Sequence, residues 1–202
     1  MSGESISDRK LEIGHVSVSD LVGSSGLLLE QQTERHSTLT ATGKGILAAD
    51  ESSGTIEKRF NAVSVPCTEQ TRRDYRELLF SAPGLGDFIS GVILFEETLK
   101  QKSVADVPLP QLLTAQGIVP GIKVDKGAKT LPFSKDETIT QGLDGLRERL
   151  SEYYGLGARF AEWPATYPPT PRRPSNNCIT ANGHAPPPHP PFRHEPTYRP
   201  PS

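Results

Sequence analysis

The chain has 202 residues with 19 prolines, 18 glycines and a formal net charge of −2, and this length fits one domain better than two. The near-neutral charge gives no electrostatic case for binding nucleic acid, and no apolar run approaches the length of a membrane span. Thirteen prolines fall in residues 164–202. Because this density disfavours helices and central strands, we expect a disordered tail there.

The first 40 residues are rich in serine, threonine and glutamate, and we expect a weakly ordered extension. A helix over about 21–35 fits the pattern but has no capping residue. The serines would suit a plastid transit peptide, yet acidic residues outnumber basic ones in the first 30 residues, and transit peptides are poor in acids. Two cysteines in the whole chain suit a reducing compartment. Together these features favour the cytosol.

Buried strands alternate with helices between residues 41 and 163. The strands are predicted from nearly continuous apolar runs at 46–49, 88–95, 118–124 and 158–163, and Pro164 is expected to interrupt the last of them. The helices are predicted from apolar residues at helical spacing over 56–63, 68–79, 109–113 and 140–154. Continuous apolar strands are typical of a parallel sheet buried on both faces. The pattern therefore predicts an α/β fold, whose ligands bind at the carboxyl ends of the strands.

The end of the first strand carries a carboxylate and then hydroxyl groups. Asp50 follows the apolar run, and Ser52 and Thr55 lie at the start of the next helix. Unpaired N–H groups at a helix start attract anions, so these hydroxyls could help to bind a phosphate. The same residues could instead solvate the strand end and cap the helix, which is their commoner role.

Lys123 ends the third strand, where apolar neighbours enclose it on one side. It could bind an anionic substrate, or lose its proton and act as a base or form an imine. An ion pair with Asp125 at the rim of the sheet explains the pattern equally well. The histidines are scattered and predict no metal site. We expect the charged residues of the second helix to lie on its solvated face, namely Arg72, Arg73, Arg76 and Glu77.

Four stretches, in order, resemble the class I fructose-bisphosphate aldolases. They are GKGILAADES at 43–52, GVILFEETL at 91–99, GIKVDKG at 121–127 and TQGLDGL at 140–146. The resemblance covers about residues 43–163, roughly the first half or less of the (β/α)8 TIM barrel of that family. It implies a partial barrel of about four βα units over 41–163, followed by the proline-rich tail.

The resemblance also implies an activity and roles for individual residues. The family, without a metal or other cofactor, cleaves fructose 1,6-bisphosphate to glyceraldehyde 3-phosphate and dihydroxyacetone phosphate in glycolysis. A Schiff base to a lysine stabilises the carbanion that cleavage leaves. Asp50 would be the catalytic carboxylate, Ser52 and Thr55 would help to hold a phosphate of the sugar, and Lys123 would bind substrate. The family is commonly a homotetramer, which need not hold for a partial barrel.

The fourth strand departs from the family pattern. The family has a lysine before Trp163 and an arginine after it, where this chain has Glu162 and Pro164. Glu162 reverses the charge at a position where substrate phosphate is expected. No resemblance continues after Trp163, and the imine-forming lysine belongs to later segments of the family. We therefore expect a truncated chain that is inactive alone.

A non-catalytic binding protein is the alternative function. The tail contains PxxP spacings, which favour polyproline II and bind grooves lined by aromatic residues. A proline-rich composition by itself makes such spacings common. The four spacings are Pro168/Pro171, Pro171/Pro174, Pro187/Pro190 and Pro188/Pro191.

Overall fold

A computed structural model describes residues 14–15, 37–134, 136–164 and 174–183 of the chain. Within these residues, a curved sheet carries helices on its outer face. The strands are β1 Gly14–His15, β2 Gly45–Ala49, β3 Ile89–Leu94, β4 Val119–Lys123, β5 Ala128–Thr130, β6 Thr138–Thr140 and β7 Phe160–Pro164. The helices are α1 Ser53–Ala62, α2 Glu69–Phe80, α3 Leu85–Phe88, α4 Glu96–Lys100, α5 Leu109–Thr114, α6 Leu146–Gly155 and α7 Asn176–Gly183.

Strands β2, β3, β4 and β7 are neighbours in that order and pair in parallel. Their carboxyl ends therefore lie along one rim of the sheet. Strand β1 adds to the outer edge of β7 in the antiparallel direction, and β5 and β6 form a separate antiparallel hairpin. The predicted α/β architecture with about four βα units is confirmed as a partial barrel.

Alternating side chains along the strands divide the sheet into an outer and an inner face. The outer face packs against the helices in the main core, which includes Val92 and Leu94 of β3 and Ile122 of β4. The inner face holds a smaller cluster centred on Phe160. A methyl group at Gly121 would overlap the Phe160 ring, so a glycine is required there for the ring to lie across β4.

The start of α2 agrees with the helix predicted over 68–79. Thr68 precedes the helix, its hydroxyl accepts the backbone N–H of Thr71 at 3.1 Å, and the Thr71 hydroxyl accepts the backbone N–H of Thr68 at 2.9 Å. This reciprocal capping satisfies two N–H groups that the helix itself cannot.

The predicted helix over 140–154 begins later than the sequence indicated. Thr140 belongs to β6, and α6 begins at Leu146. Gly142 and Gly145 have φ angles of +128° and +62°, and such a backbone does not continue a right-handed helix. The apolar spacing that starts at Leu143 therefore predicted too long a helix, and Leu143 itself is exposed.

Strand β2 is less buried than its apolar composition suggested. Among the strands that the structure describes, it lies at one end of the sheet order and pairs with β3 alone. Ile46 is 37% exposed, whereas Ala49 is buried against the main core. Pro164, expected to interrupt the fourth strand, is instead the last residue of β7, where a missing N–H disturbs the ladder least.

Part of the tail that we expected to be disordered is helical. The eight residues Asn176–Gly183 form α7, which packs on β6, and Cys178 is fully buried there. The remaining tail beyond Pro164, with most of the PxxP spacings, lies outside the described residues apart from 174–175. The helix suggested near 21–35 also lies outside them. Among the residues that are described, no helix has the length and apolar character needed to cross a membrane.

Candidate functional site

The carboxyl-terminal rim of the parallel strands brings together the residues predicted from β2 and β4. Lys123 is the last residue of β4, and Asp50 directly follows β2. Val119 packs in the inner cluster with Phe160, and Lys123, four residues later, lies on the same face. The charge of Lys123 acts on the carboxyl group of Asp50. The structure thus places these two groups in one site on the inner side of the rim.

Asp50 is half-buried, and its surroundings raise the pKa of its carboxyl group. Burial raises the pKa of its carboxyl group above the ordinary value, while a backbone hydrogen bond and the Lys123 ammonium partly offset this rise. A carboxyl group whose pKa lies above its ordinary value can take up and release a proton nearer neutral pH. The environment therefore suits the catalytic role that the family resemblance implies for Asp50.

Lys123 forms an ion pair with Asp125, the second of the two interpretations that the sequence left open. The Asp125 side chain is 5% exposed, and its other carboxylate oxygen accepts the Gly127 N–H at 2.8 Å. The Lys123 side chain is 22% exposed. The amine is thus fixed in direction yet still accessible from the inner face, so the ion pair and anion binding are compatible.

Ser52 and Thr55 lie at the start of α1, where the helix-capping role that the sequence offered as an alternative is not observed. Ser52 occupies the N-cap position, but its side chain makes no capping hydrogen bond. Its hydroxyl lies 3.1 Å from the Thr55 hydroxyl, and both residues are exposed. Two adjacent hydroxyls beside the free N–H groups of a ten-residue helix can donate to an anion.

Ion pairs hold this rim together, and the residues that form them were not predicted from the sequence. Arg76 was expected on a solvated face but is 2% exposed, and its guanidinium binds the carboxylate of Glu51. Burial raises the pKa of Glu51, but the hydrogen bond and charge of Arg76, together with a backbone hydrogen bond and the charge of Arg59, leave the pKa below its ordinary value. Arg76 lies four residues before the buried Phe80, so helical spacing places both on one face, a signal that could have revealed its burial.

The carboxylates that follow β3 also form ion pairs. Arg72, another residue assigned to the solvated face, binds Glu97 through two N–H groups at 2.8 and 2.6 Å. Glu96 pairs with Lys100 at 2.9 Å and with Lys126 at 3.4 Å. The pairs with Arg72 and Lys126 connect α4 to α2 and to the segment after β4, whereas the pair with Lys100 lies within α4. Within the described part of the chain, no cluster of three or more histidine, cysteine or acidic residues has the arrangement of a metal site.

Comparison with known proteins agrees with this geometry. The family model of glycolytic class I fructose-bisphosphate aldolase matches residues 31–185. The chain belongs to the class I fructose-bisphosphate aldolase family. The match begins before and ends after the residues 43–163 on which the motifs of this aldolase family were recognised.

Individual aldolases show the same similarity. Fructose-bisphosphate aldolase 1 of Toxoplasma gondii is 55% identical over 157 residues, which are 77% of this chain and 43% of that protein. A probable class 1 fructose-bisphosphate aldolase of Xylella fastidiosa is 54% identical over 157 residues, 78% of this chain and 47% of that protein. The chain thus spans less than half the length of these aldolases.

A solved aldolase structure shares the fold. The fructose-bisphosphate aldolase of Plasmodium falciparum, crystallised with TRAP and a small-molecule inhibitor, superposes with a TM-score of 0.74 at 47% identity. The superposition covers 80% of this chain and 47% of that one. The partial barrel described above therefore corresponds to part of an aldolase barrel.

Proposed function

We propose that this chain binds a phosphorylated sugar at the rim of its parallel strands and contributes to the class I aldolase reaction there. That reaction cleaves fructose 1,6-bisphosphate to glyceraldehyde 3-phosphate and dihydroxyacetone phosphate. The observation that carries the proposal is the position of Asp50 and Lys123 at the carboxyl ends of β2 and β4, along the same rim of the sheet. We propose a cytosolic location from the composition of the N-terminal residues, and the homotetramer stays an expectation from the family.

Each residue of the site has a distinct role in this proposal. The Lys123 ammonium attracts the anionic sugar and is held in direction by Asp125. The hydroxyls of Ser52 and Thr55 donate to a phosphate oxygen, assisted by the N–H groups that begin α1. Asp50 accepts a proton from, or hydrogen bonds to, a sugar hydroxyl at the reacting end.

We further propose that these 202 residues bind the sugar without completing turnover. The reaction needs a lysine amine to form an imine. Of the parallel strands, only β4 carries a lysine, Lys123, and its amine is engaged by Asp125. No lysine follows Lys135 in the sequence. The residues of this site therefore supply binding and acid–base groups rather than the amine nucleophile.

Ligand binding and imine trapping test the two parts separately. Isothermal titration of the full chain with fructose 1,6-bisphosphate should give saturable binding that weakens at least tenfold in Lys123→Met and in the double variant Ser52→Ala/Thr55→Ala. Ser151→Ala, an exposed hydroxyl on α6, is the matched control and should leave the affinity unchanged. Equal affinity in all four proteins would place the binding site elsewhere.

Borohydride reduction with dihydroxyacetone phosphate, followed by mass spectrometry, reports imine formation. We expect no covalent adduct and no aldol cleavage from the purified chain. A stoichiometric adduct on Lys123 would show that this lysine is a nucleophile, and would overturn the separation of binding from turnover without affecting the binding proposal.

A further inference from the structure

Strand β2 forms an exposed edge of the parallel sheet, where β3 is its single neighbour among the strands that are described. Leu47 and Ala49 of β2 contact the main core on the outer face. Side chains alternate along a strand, so Ile46 and Ala48 project from the inner face, and both are exposed. An apolar edge of this kind is a place where a further extended segment can add to the sheet.

The sequence of this edge is complementary to itself. Two copies of β2 can pair in the antiparallel direction about a two-fold axis perpendicular to the sheet. Centring the pair at Leu47 gives the longest overlap, since all five residues Gly45–Ala49 then have a partner. Ile46 of each copy is then opposite Ala48 of the other, so the exposed apolar residues cover one another. A shift by one residue would instead put inner-facing residues opposite outer-facing ones.

The charges that flank β2 favour the same register. With Leu47 at the axis, Lys44 of each copy is opposite Asp50 of the other, and opposite charges across antiparallel strands stabilise their pairing. Lys44 is exposed. Its amine donates to the Gly86 carbonyl, and an ammonium group has three N–H donors. Within one chain, Lys44 and Asp50 are separated by the length of the strand, about 20 Å, so only a second copy can bring them together.

We infer that β2 is an interaction surface for a second copy of this chain, which adds to it in the antiparallel direction with Leu47 at the two-fold axis. The pairing joins the two curved sheets into one and places the Lys44 ammonium of each copy beside Asp50 in the candidate site of the other. The dimer is closed, because each copy uses the same edge and the other end of the sheet is covered by β1. The association goes beyond the proposed function, since it requires no sugar.

Analytical ultracentrifugation of the full chain without ligand tests the association. We expect a reversible equilibrium between one copy and two, without larger species. Lys44→Glu puts like charges opposite each other at both ends of the pairing and should raise the dimer dissociation constant at least fivefold. Lys58→Glu, the same change at an exposed lysine of α1, is the matched control and should leave the constant unchanged. A chain that stays monomeric, open-ended oligomers, or equal constants in the two variants would overturn the inference.

Reversal of both charges tests the register. Lys44→Glu/Asp50→Lys exchanges the two charges of each pair and should restore the dissociation constant of the unmodified chain. This rescue cannot act within one chain, because the two positions lie at opposite ends of β2. A folded double variant that dimerises no better than Lys44→Glu would show that the register is wrong.

Disulfide crosslinking tests the register without a charge change, and it decides the matter if the double variant does not fold. Opposite residues of antiparallel strands have Cα atoms about 4.5–5.5 Å apart, which a disulfide can span. An equimolar mixture of Ile46→Cys and Ala48→Cys chains should therefore form a crosslinked dimer under oxidation. Either variant alone places its new cysteines about 7–8 Å apart and should crosslink far less. The unmodified chain controls for Cys67 and Cys178, and equal crosslinking in all samples would overturn the inference.

Discussion

The buried guanidinium of Arg76 binds the carboxylate of Glu51, 25 residues earlier in the chain. The pair joins the middle of α2 to the residue that follows Asp50, and Arg76 also approaches the Glu51 carbonyl oxygen at 3.4 Å. Arg59 of α1 binds the other oxygen of the same carboxylate. One carboxylate thus ties two helices to the strand end that carries Asp50, so the position of the candidate catalytic carboxyl depends on this ion pair.

Replacing Arg76 with methionine should destabilise the fold by about 3–5 kcal/mol, because it leaves the largely buried Glu51 carboxylate without its main partner. Chemical denaturation monitored by circular dichroism measures the change in the free energy of unfolding. Lys102→Met is the control, since its pair with Asp106 is exposed and should be worth at most about 1 kcal/mol. Equal losses in the two variants would contradict a special role for the buried pair.

The same ion pair predicts how stability depends on pH. The pKa of Glu51 is lower in the folded chain than its ordinary value, so its ionised form favours folding. This contribution is complete above the ordinary glutamate pKa and is lost as the pH falls through the lower, folded-state pKa. The unmodified chain should therefore exceed Glu51→Gln in unfolding free energy at pH 7, by a margin that shrinks towards pH 3. A margin independent of pH would show that Glu51 acts through packing rather than charge.

Asp50 should behave in the opposite sense, because its pKa is raised by burial. The folded state then binds the Asp50 proton more tightly than the unfolded state does, and the ionised carboxylate opposes folding at neutral pH. Asp50→Asn should stabilise the chain at pH 7 by about 0.5–1 kcal/mol. This gain should shrink as the pH falls below the folded-state pKa of Asp50, and it should be gone below the ordinary aspartate pKa, where the group is neutral in both states. Loss of stability at pH 7 would mean that Asp50 has a structural role instead.

Local sequence patterns were sufficient for the four parallel strands and for the polar residues at the ends of two of them, but not for β1, β5 and β6. The apolar runs before Asp50 and Lys123 are continuous, so the strands and the polar residues at their ends could be located without knowledge of tertiary contacts. The burial of Arg76 could not be predicted in the same way, because it depends on Glu51 being opposite in the folded chain. The charge of Arg76 by itself led to the prediction that it lies on the surface.

Helix α7 was missed for a related reason. Its eight residues have little apolar character of their own, and flanking prolines favour disorder. Glu137 lies 4% exposed and accepts hydrogen bonds from the N–H and hydroxyl of Ser175, at 2.6 and 2.7 Å. A carboxylate 38 residues away thus supports the start of the helix. No local pattern contains this partner, so the helix is a product of tertiary structure.

The docking of α7 can be tested through Asn182, which is 6% exposed. Its amide oxygen accepts the Thr140 N–H at 3.1 Å, and its amide nitrogen donates to the Thr138 carbonyl at 2.9 Å. One side chain therefore bonds to the edge of β6 as a neighbouring strand would. Asn182→Ala leaves both backbone groups without this partner, which should cost about 1–3 kcal/mol of local stability.

Amide hydrogen exchange should reveal that loss as faster exchange in residues 176–183 and at Thr140, with little change in β3 or β4. Asn177→Ala removes the same side chain from an exposed position of the same helix, so it controls for the change in helix propensity. If both variants exchange alike, the helix is held by Cys178 and its apolar contacts rather than by the Asn182 bonds. Faster exchange in β3 and β4 of Asn182→Ala would instead show that α7 and the partial barrel unfold as one unit.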